Sequence, residues 1–316
     1  MKRGVRTPGR NRAWWSALLG LALVGCQLTS PTSNATDLET ALKAAASRVR
    51  GDVGIYVRHL RTGETFAFRA DETFPAASMI KVPILCGVMN AIARGDLRYD
   101  AKLEYDPKWS RGGEDLLAHC EPGSVLTLSK LVLLMITTSD NTASVWCQEL
   151  AGSGTAINAW LDAEGFPVTR VNSRTEGREQ AYREYGWGQT TAREMAELLV
   201  RIRENKTVDV ASSEEMYRCL TRIYWNGEAL SEIPPTVTAA SKQGALQRSR
   251  SEVVLVNAPH GDYVFSVITK NQLDESWDVD NEGFVLLRNV SSILWQHFEP
   301  DFGWAPASGA NRFVKS

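Results

Sequence analysis

Residues 77–84 read Ala-Ser-Met-Ile-Lys-Val-Pro-Ile and open an apolar stretch that runs to Arg94-Gly95. The stretch predicts a helix with Ser78 and Lys81 on one face, because residues three apart are neighbours on a helix. A serine hydroxyl is a weak nucleophile until a base removes its proton, which a desolvated lysine can do. Backbone N–H groups at a helix N-terminus can also bind an oxyanion. Ser78 and Lys81 are therefore candidates for acyl transfer, although the Ser-x-x-Lys spacing alone is a weak signal.

Two more short motifs follow Ser78 along the chain. Ser139-Asp140-Asn141 lies between helices predicted at 126–136 and 142–150, where such residues also serve as helix caps. In a catalytic site, this motif would add a second hydroxyl for proton transfer and an amide for a substrate carbonyl. Lys242-Gln243-Gly244 precedes the C-terminal strands and indicates little by itself. The order of the motifs and their separations of 61 and 103 residues make them informative together.

Strand-like segments lie near both ends of the chain, and the middle is helical. The segments rich in β-formers are 53–57, 65–68, 253–256 and 263–268. Helices are predicted at 38–50 and about 284–298, and capping-box signatures at 191–194 and 212–215 open two more. We therefore expect an α/β protein of the α+β type, with one antiparallel sheet built from both chain ends and flanked by helices. An all-helical domain would be inserted at about 78–225.

Taken together, the three motifs resemble the signature set of class A β-lactamases and penicillin-binding proteins, a family of serine hydrolases. Segments 134–143 and 190–195 also resemble that family, and the likeness covers about residues 38–300. The resemblance implies a helix-flanked antiparallel sheet with a helical domain, which agrees with the element order above.

The resemblance also assigns the first step of a reaction. Ser78 would attack a β-lactam carbonyl, and either Lys81 or a glutamate acting through a water would take its proton. Backbone N–H groups of Ser78 and Ala245 would form the oxyanion hole. No metal or organic cofactor is implied.

The other motif residues would handle the leaving group and the substrate. Ser139 and Lys242 would pass a proton to the departing nitrogen, and Asn141 would orient the substrate. Gln243 and Gly244 would line the substrate site beside Ala245.

Class A enzymes also carry a deacylating glutamate on a long loop, since an acyl-enzyme persists unless a base activates water. Residues 170–189 show no apolar period and predict a structureless loop. Glu176, two residues after Arg174, best matches the family's glutamate, and Glu179 is the alternative. Gln180 would stand where the family has a water-holding asparagine.

The sequence departs from the family pattern at two places. Gln243 replaces the usual Thr or Ser, whose short hydroxyl contacts the substrate carboxylate, and a longer glutamine would crowd that space. The family's aspartate before the Thr pair, which holds the loop through an arginine like Arg174, is absent, and Gln189 stands there. Both changes affect β-lactam recognition and deacylation more than acylation.

The N-terminus has the pattern of an export signal. The first twelve residues hold five basic and no acidic residues, and an apolar run at 13–25 is too short to span a bilayer. The run ends in Leu-Val-Gly before Cys26, which resembles a bacterial lipoprotein box. We expect a signal peptide at 1–25, lipidated Cys26 with a flexible tether at 26–37, and a catalytic domain at 38–316. The protein would then be anchored in the cell envelope.

Charge and cysteine content restrict the partners. Without the five N-terminal cations, 30 basic against 37 acidic residues leave a net charge of −7, which argues against nucleic-acid binding. We expect a monomer that contacts the membrane by its lipid anchor only. Cys86, Cys120, Cys147 and Cys219 show no metal-ligand spacing, and their pairing is open.

Three functions follow from these patterns. The first is a class A-type hydrolase that opens β-lactam rings through an acyl-enzyme on Ser78. A D,D-peptidase or another acyl-serine hydrolase acting on a peptidoglycan-like substrate is the second, motivated by Gln243. The third is a lipid-anchored penicillin-binding or sensor protein without turnover.

Overall fold

The two ends of the chain supply the strands of one five-stranded antiparallel sheet. The structure is a computed structural model that describes residues 32–113 and 115–313, except the side chains of 32–36, 311 and 312. Its strands are β1 (Asp52–His59), β2 (Thr65–Phe68), β3 (Phe74–Pro75), β4 (Lys102–Glu104), β5 (Val125–Thr127), β6 (Arg170–Val171), β7 (Gly188–Thr190), β8 (Ala239–Leu246), β9 (Ser249–Val256) and β10 (Tyr263–Lys270). Its α-helices are α1 (Thr32–Ala46), α2 (Lys81–Ala93), α3 (Leu128–Thr137), α4 (Asn141–Leu150), α5 (Ser153–Ala163), α6 (Glu179–Tyr185), α7 (Ala192–Arg203), α8 (Val210–Leu220) and α9 (Glu282–Phe298).

The sheet has the order β2-β1-β10-β9-β8. One row across it aligns Tyr56 with Ser266, Ser266 with Val253, and Val253 with Lys242. Strands β9 and β10 are buried along almost their whole length, which explains their β-branched and aromatic runs. The predicted α+β class, with a sheet made from distant chain ends, is confirmed. Strand β8, which carries the third motif and was not predicted, forms one edge of the sheet.

Helices cover both faces of this sheet. Helices α1 and α9 pack on one face, where Leu42 and Leu294 join sheet residues such as Phe265 in one apolar cluster. Helix α7 packs on β1, β9 and β10, in a second cluster that includes Val264 and continues into the helical region. Residues predicted as a helical insert therefore also cover the sheet. The predicted insert is not all-helical, because it also contains β4 to β7. Strand β4 pairs with β5, and β6 and β7 form a small sheet with β3, which precedes the insert.

Helix α2 lies at the centre of the helical region. Ten of its 13 residues are buried, and α3, α4, α5 and α8 all contact it. A helix that is apolar on every side is stable only when surrounded in this way. The nucleophile motif is thus fixed to the most deeply buried helix of the second cluster.

Several local predictions need correction. Helix α8 is capped by Asp209, whose carboxylate accepts the Ser212 N–H at 2.7 Å, so the predicted cap at 212 was three residues late. The loop at 170–189 is not structureless, because β6, α6 and β7 lie within it. Residues of α6 are all at least partly exposed, so an apolar period could not reveal the helix.

The N-terminal predictions fall mostly outside the described residues. The predicted signal peptide and Cys26 lie there, and α1 begins at Thr32, inside the stretch predicted as a tether. Within the described part of the chain, no helix is long and apolar enough to cross a bilayer. The four cysteines from Cys86 onward are free thiols, and only Cys120 among them is exposed.

Candidate active site

Ser78 and Lys81 meet where a short 3₁₀ turn, Ala77–Ile80, runs into α2. Lys81 Nζ donates to Ser78 Oγ at 3.2 Å. The Lys81 side chain is fully buried, whereas Ser78 is partly exposed and accessible to a ligand. Ala77 adopts a left-handed φ of 46°, which an L-residue occupies only when its surroundings impose it. The turn thus aims the Ser78 hydroxyl outward beside a buried amine.

Three oxygens besides Ser78 Oγ surround the Lys81 amine. Nζ donates to Ser139 Oγ at 3.0 Å, to Asn141 Oδ1 at 2.8 Å and to the Ser139 carbonyl oxygen. Burial disfavours the charged ammonium and lowers the pKa of Lys81 to about 7, although the carboxylates of Asp115 and Asp140 act in the opposite direction. A substantial fraction of Lys81 is therefore neutral near neutral pH and able to accept a proton.

Lys242 approaches the same hydroxyl from the sheet. Its Nζ donates to Ser139 Oγ at 3.0 Å, to the Gln243 carbonyl oxygen at 3.0 Å and to Gln243 Oε1 at 2.9 Å. Burial, followed by the charge of Lys81, holds the pKa of Lys242 well below its ordinary value. A continuous line of hydrogen bonds thus joins Ser78, Lys81, Ser139 and Lys242, which stand far apart in the sequence.

The edge strand β8 brings its backbone against the nucleophile. A Cβ placed on Gly244 would lie 2.8 Å from the Ser78 backbone nitrogen and 2.8 Å from Ala77 Cβ. Such contacts are too short for any side chain, so glycine is required here. Ala245 follows on the same strand. Of the strands that the structure describes, β8 pairs only with β9, so its outer side leaves backbone groups free of pairing with them.

Two buried aspartates hold the Ser139-Asp140-Asn141 turn. Asp140 caps α4 by accepting the Ala143 N–H at 2.7 Å, and it also accepts the Leu117 N–H at 2.9 Å. Asp115 accepts the backbone N–H groups of Asn141 at 2.9 Å and Thr142 at 2.7 Å. Asp115 was not predicted, since one aspartate in a loop has no distinguishing pattern.

A buried glutamate on β9 was also missed. Glu252 lies opposite Gln243 and accepts from Ser241 Oγ at 2.6 Å and from the Ala229 N–H at 2.8 Å. Burial raises its pKa to about 7. The sequence did offer one signal for it, because an acidic residue directly before the apolar run Val253–Val256 is unusual.

Glu176 lies in the loop between β6 and α6. Glu176 and Glu179 both line a cavity of about 740 Å³, and Gln180 is exposed. Among the described residues, no hydrogen bond joins Glu176 to Ser78 or Lys81. The structure therefore brings the three motifs together, whereas Glu176 lines a cavity whose wall includes none of the motif residues.

A different pair of residues replaces the family's arginine–aspartate contact in this loop. Gln189 Oε1 accepts from Arg178 Nη2 at 2.7 Å, and Arg178 also donates to Asn172 Oδ1 at 2.8 Å. Gln148 holds the loop from α4, since it donates to the Ser173 carbonyl at 2.5 Å and accepts from Ser173 Oγ at 2.9 Å. The missing aspartate therefore does not leave the loop unattached.

The structure fits a serine hydrolase in which a Ser-x-x-Lys turn faces an edge strand. Comparisons with known proteins agree, because residues 37–298 match the model of the "Beta-lactamase enzyme family". The chain belongs to that family. Its class A β-lactamase-like fold, expected from the motifs, is confirmed.

Individual relatives are distant. Beta-lactamase VEB-1 of Pseudomonas aeruginosa is 20% identical over 297 residues, covering 89% of this chain and 96% of the relative. The structure of PBP-A is 25% identical with a TM-score of 0.74 and covers 84% of this chain and 97% of PBP-A. A β-lactamase from Sphaerobacter thermophilus is 24% identical with a TM-score of 0.73, and the match covers 83% and 96% of the two chains.

The role of Asp115 gives a first prediction. In Asp115→Asn, an amide N–H₂ would face the backbone N–H of Asn141 or Thr142, so the turn that carries Ser139 should shift. We expect acylation of Ser78 by a penicillin to slow about 10-fold or more, as is typical when a positioning contact is lost. Stopped-flow acylation kinetics would measure this. Asp100→Asn, at an exposed aspartate paired with Arg98, is the control and should keep the wild-type rate. Equal rates in all three proteins would contradict the role of Asp115.

Proposed function

We propose that the protein is a serine hydrolase that opens β-lactam rings through an acyl-enzyme on Ser78. The observation that carries this proposal is the line of hydrogen bonds from Ser78 through the buried Lys81 amine to Ser139 and Lys242. Family membership supports the hydrolase class. A neighbouring structure, a point mutant of PBP-A, is an acyl-enzyme complex with penicillin G, which supports a β-lactam as ligand.

Acylation would begin at Ser78. Neutral Lys81 takes the hydroxyl proton as Oγ attacks the lactam carbonyl, and a bond forms between Oγ and that carbon. Backbone N–H groups of Ser78 and Ala245 stabilise the oxyanion of the tetrahedral intermediate. When the intermediate collapses, the carbon–nitrogen bond breaks. Ser139 Oγ then gives its proton to the nitrogen and regains one from Lys81 or Lys242, since it lies 3.0 Å from each amine.

Substrate binding would differ from the usual pattern at Gln243. Its side-chain carbonyl already accepts from Lys242, so its N–H₂ group is the part left to donate to a substrate carboxylate. Asn141 would orient the substrate amide beside α4. Glu176 would deprotonate the hydrolytic water that releases the acyl group from Ser78.

A second candidate is a penicillin-binding protein that retains its acyl group. The exposed position of Glu176, without a hydrogen bond to Ser78 or Lys81 among the described residues, favours this alternative. A D,D-peptidase acting on a peptidoglycan-like stem would use the same acylation machinery.

We further propose that the protein acts in the bacterial cell envelope, anchored through Cys26, because the apolar run at 13–25 ends directly before that cysteine. Cys26→Ser should leave the membrane fraction, and persistent membrane association would contradict the anchor.

The nucleophile assignment can be tested on residues 27–316. We expect a chromogenic cephalosporin to be hydrolysed, with turnover lost at least ~1,000-fold in Ser78→Ala because the acyl-enzyme cannot form. Ser47→Ala, at an exposed serine on the far face of the sheet, is the control. Unchanged hydrolysis in Ser78→Ala would contradict the assignment. A stable adduct without turnover, seen by intact mass spectrometry, would support the second candidate.

The deacylating base gives a separate prediction. Glu176→Gln should acylate normally and then accumulate the acyl-enzyme, because an amide cannot deprotonate water. Glu179→Gln is the matched variant, and its turnover should stay within about 2-fold of wild type. Intact mass spectra of proteins quenched during turnover would show the difference. Accumulation in Glu179→Gln alone would transfer the role to Glu179.

The lowered pKa of Lys81 predicts a pH dependence of acylation. Because the neutral amine is the base, the acylation rate should rise with pH and level off above the pKa of about 7. Stopped-flow acylation rates between about pH 5.5 and 8.5 would measure this rise. Lys81→Arg, whose side chain stays charged in this range, should lose both the rise with pH and most of the acylation rate. A flat profile in the wild type would contradict Lys81 as the base.

A further inference from the structure

The cavity of about 740 Å³ adjoins the Asn141 side of the site. Its wall includes Val145, which lies one turn beyond Asn141 on α4, and Arg111, whose backbone N–H donates to Thr142 Oγ1 at 2.9 Å. Trp187 adds an aromatic surface. Val145 and Arg111 thus place the cavity next to the first turn of α4, the helix that begins at Asn141.

Two guanidinium groups on the α4 side of this cavity have no acidic partner within ion-pair distance among residues 32–113 and 115–313. They belong to Arg111 and Arg174. Burial, followed by the positive charge of Arg111, lowers the pKa of Arg174, and the carboxylate of Glu149 acts in the opposite direction. Arg174 therefore lies near both Arg111 and Glu149, although Glu149 is beyond ion-pair distance. The guanidinium of Arg174 lies over the Trp109 ring, 5.7 Å from its centroid. Like charges held together at a cavity wall favour an anion between them.

Three other charged residues line the cavity. Glu176 and Glu179 oppose the charge of this pair, whereas Arg183 adds to it. One carboxylate oxygen of Glu179 accepts the Gly177 N–H at 3.3 Å, and Glu179 is thus engaged within its own loop. The basic pair is therefore a local feature next to α4 and not a general property of the cavity.

The sequence explains why Arg174 is available. Gln189 stands where an aspartate would bind this arginine, and Gln189 accepts from Arg178 instead. Arg178 therefore makes the hydrogen bond that holds the loop. Arg174 has a left-handed φ of 48°, and its guanidinium lies over the Trp109 ring.

We propose that Arg111 and Arg174 bind a carboxylate on the substrate arm that extends from the carbonyl attacked by Ser78. This inference rests on the proposed function and adds a substrate class to it: acyl donors with an anionic arm. A planar guanidinium suits a carboxylate because its N–H groups match the two oxygens.

The test compares two penicillins that differ only in the arm, benzylpenicillin and α-carboxybenzylpenicillin. Wild type should be acylated more efficiently by the carboxylated compound. The ratio of the two acylation efficiencies should fall about 3- to 5-fold in Arg111→Gln and in Arg174→Gln, the range for partly exposed charge pairs. Added salt should reduce the wild-type ratio as well. Arg48→Gln, an exposed arginine after α1, is the charge-matched control and should keep the ratio.

Failure of this inference can be distinguished from failure of the proposed function. Equal acylation by both penicillins, or a ratio unaffected in both cavity variants, would overturn the arginine site while leaving Ser78 chemistry intact. If no acylation occurs, tryptophan fluorescence titration of Ser78→Ala with each penicillin measures binding alone. Tighter binding of the carboxylated compound that is lost in the Arg111→Gln and Arg174→Gln backgrounds would support the site. Equal binding would overturn it.

Discussion

The burial of the Lys81 amine is the constraint on which the rest of the site depends. A lysine removed from water binds its proton less tightly. Four oxygens arranged around Nζ keep the amine in place, and no carboxylate of the described residues contacts it directly. Burying that amine requires the apolar surroundings of α2 and the closure of the Ser139 turn over it. The fold thus produces a base from a residue that is ordinarily charged at neutral pH.

Distant parts of the chain converge on this amine. Helix α2 and the turn before it supply Lys81 and Ser78, the junction of α3 and α4 supplies Ser139, and the edge strand β8 supplies Lys242. The approach of β8 is close enough to require Gly244, and the junction needs Asp115 to satisfy its backbone N–H groups. An edge strand suits this role because its outer side is not used by the sheet. Proton transfer between the two hydroxyls and the two amines then needs no large movement.

The motifs and the fold class could be predicted from the sequence. The residues that hold the motifs and the neighbouring loop in place could not. Ser78, Lys81 and Lys242 could be found because the chemistry demands particular residue types in a fixed order. Asp115 could not be found, since its value lies in backbone N–H groups that come near it only after folding. Helix α6 lacks a buried face, so no periodicity marks it. In this loop Arg178, and not Arg174, binds Gln189. That choice likewise depends on loop geometry, which residue spacing does not encode.

A direct titration tests whether Lys81 loses its proton near neutral pH. Lysines labelled with carbon-13 at Cε would be followed by NMR as a function of pH, with Lys81→Met used to assign the signal. We expect a Lys81 pKa of about 7, well below the ordinary 10.5. A Lys81 signal that titrates close to 10.5 would contradict it, because the amine would then be charged throughout the working range and unable to activate Ser78.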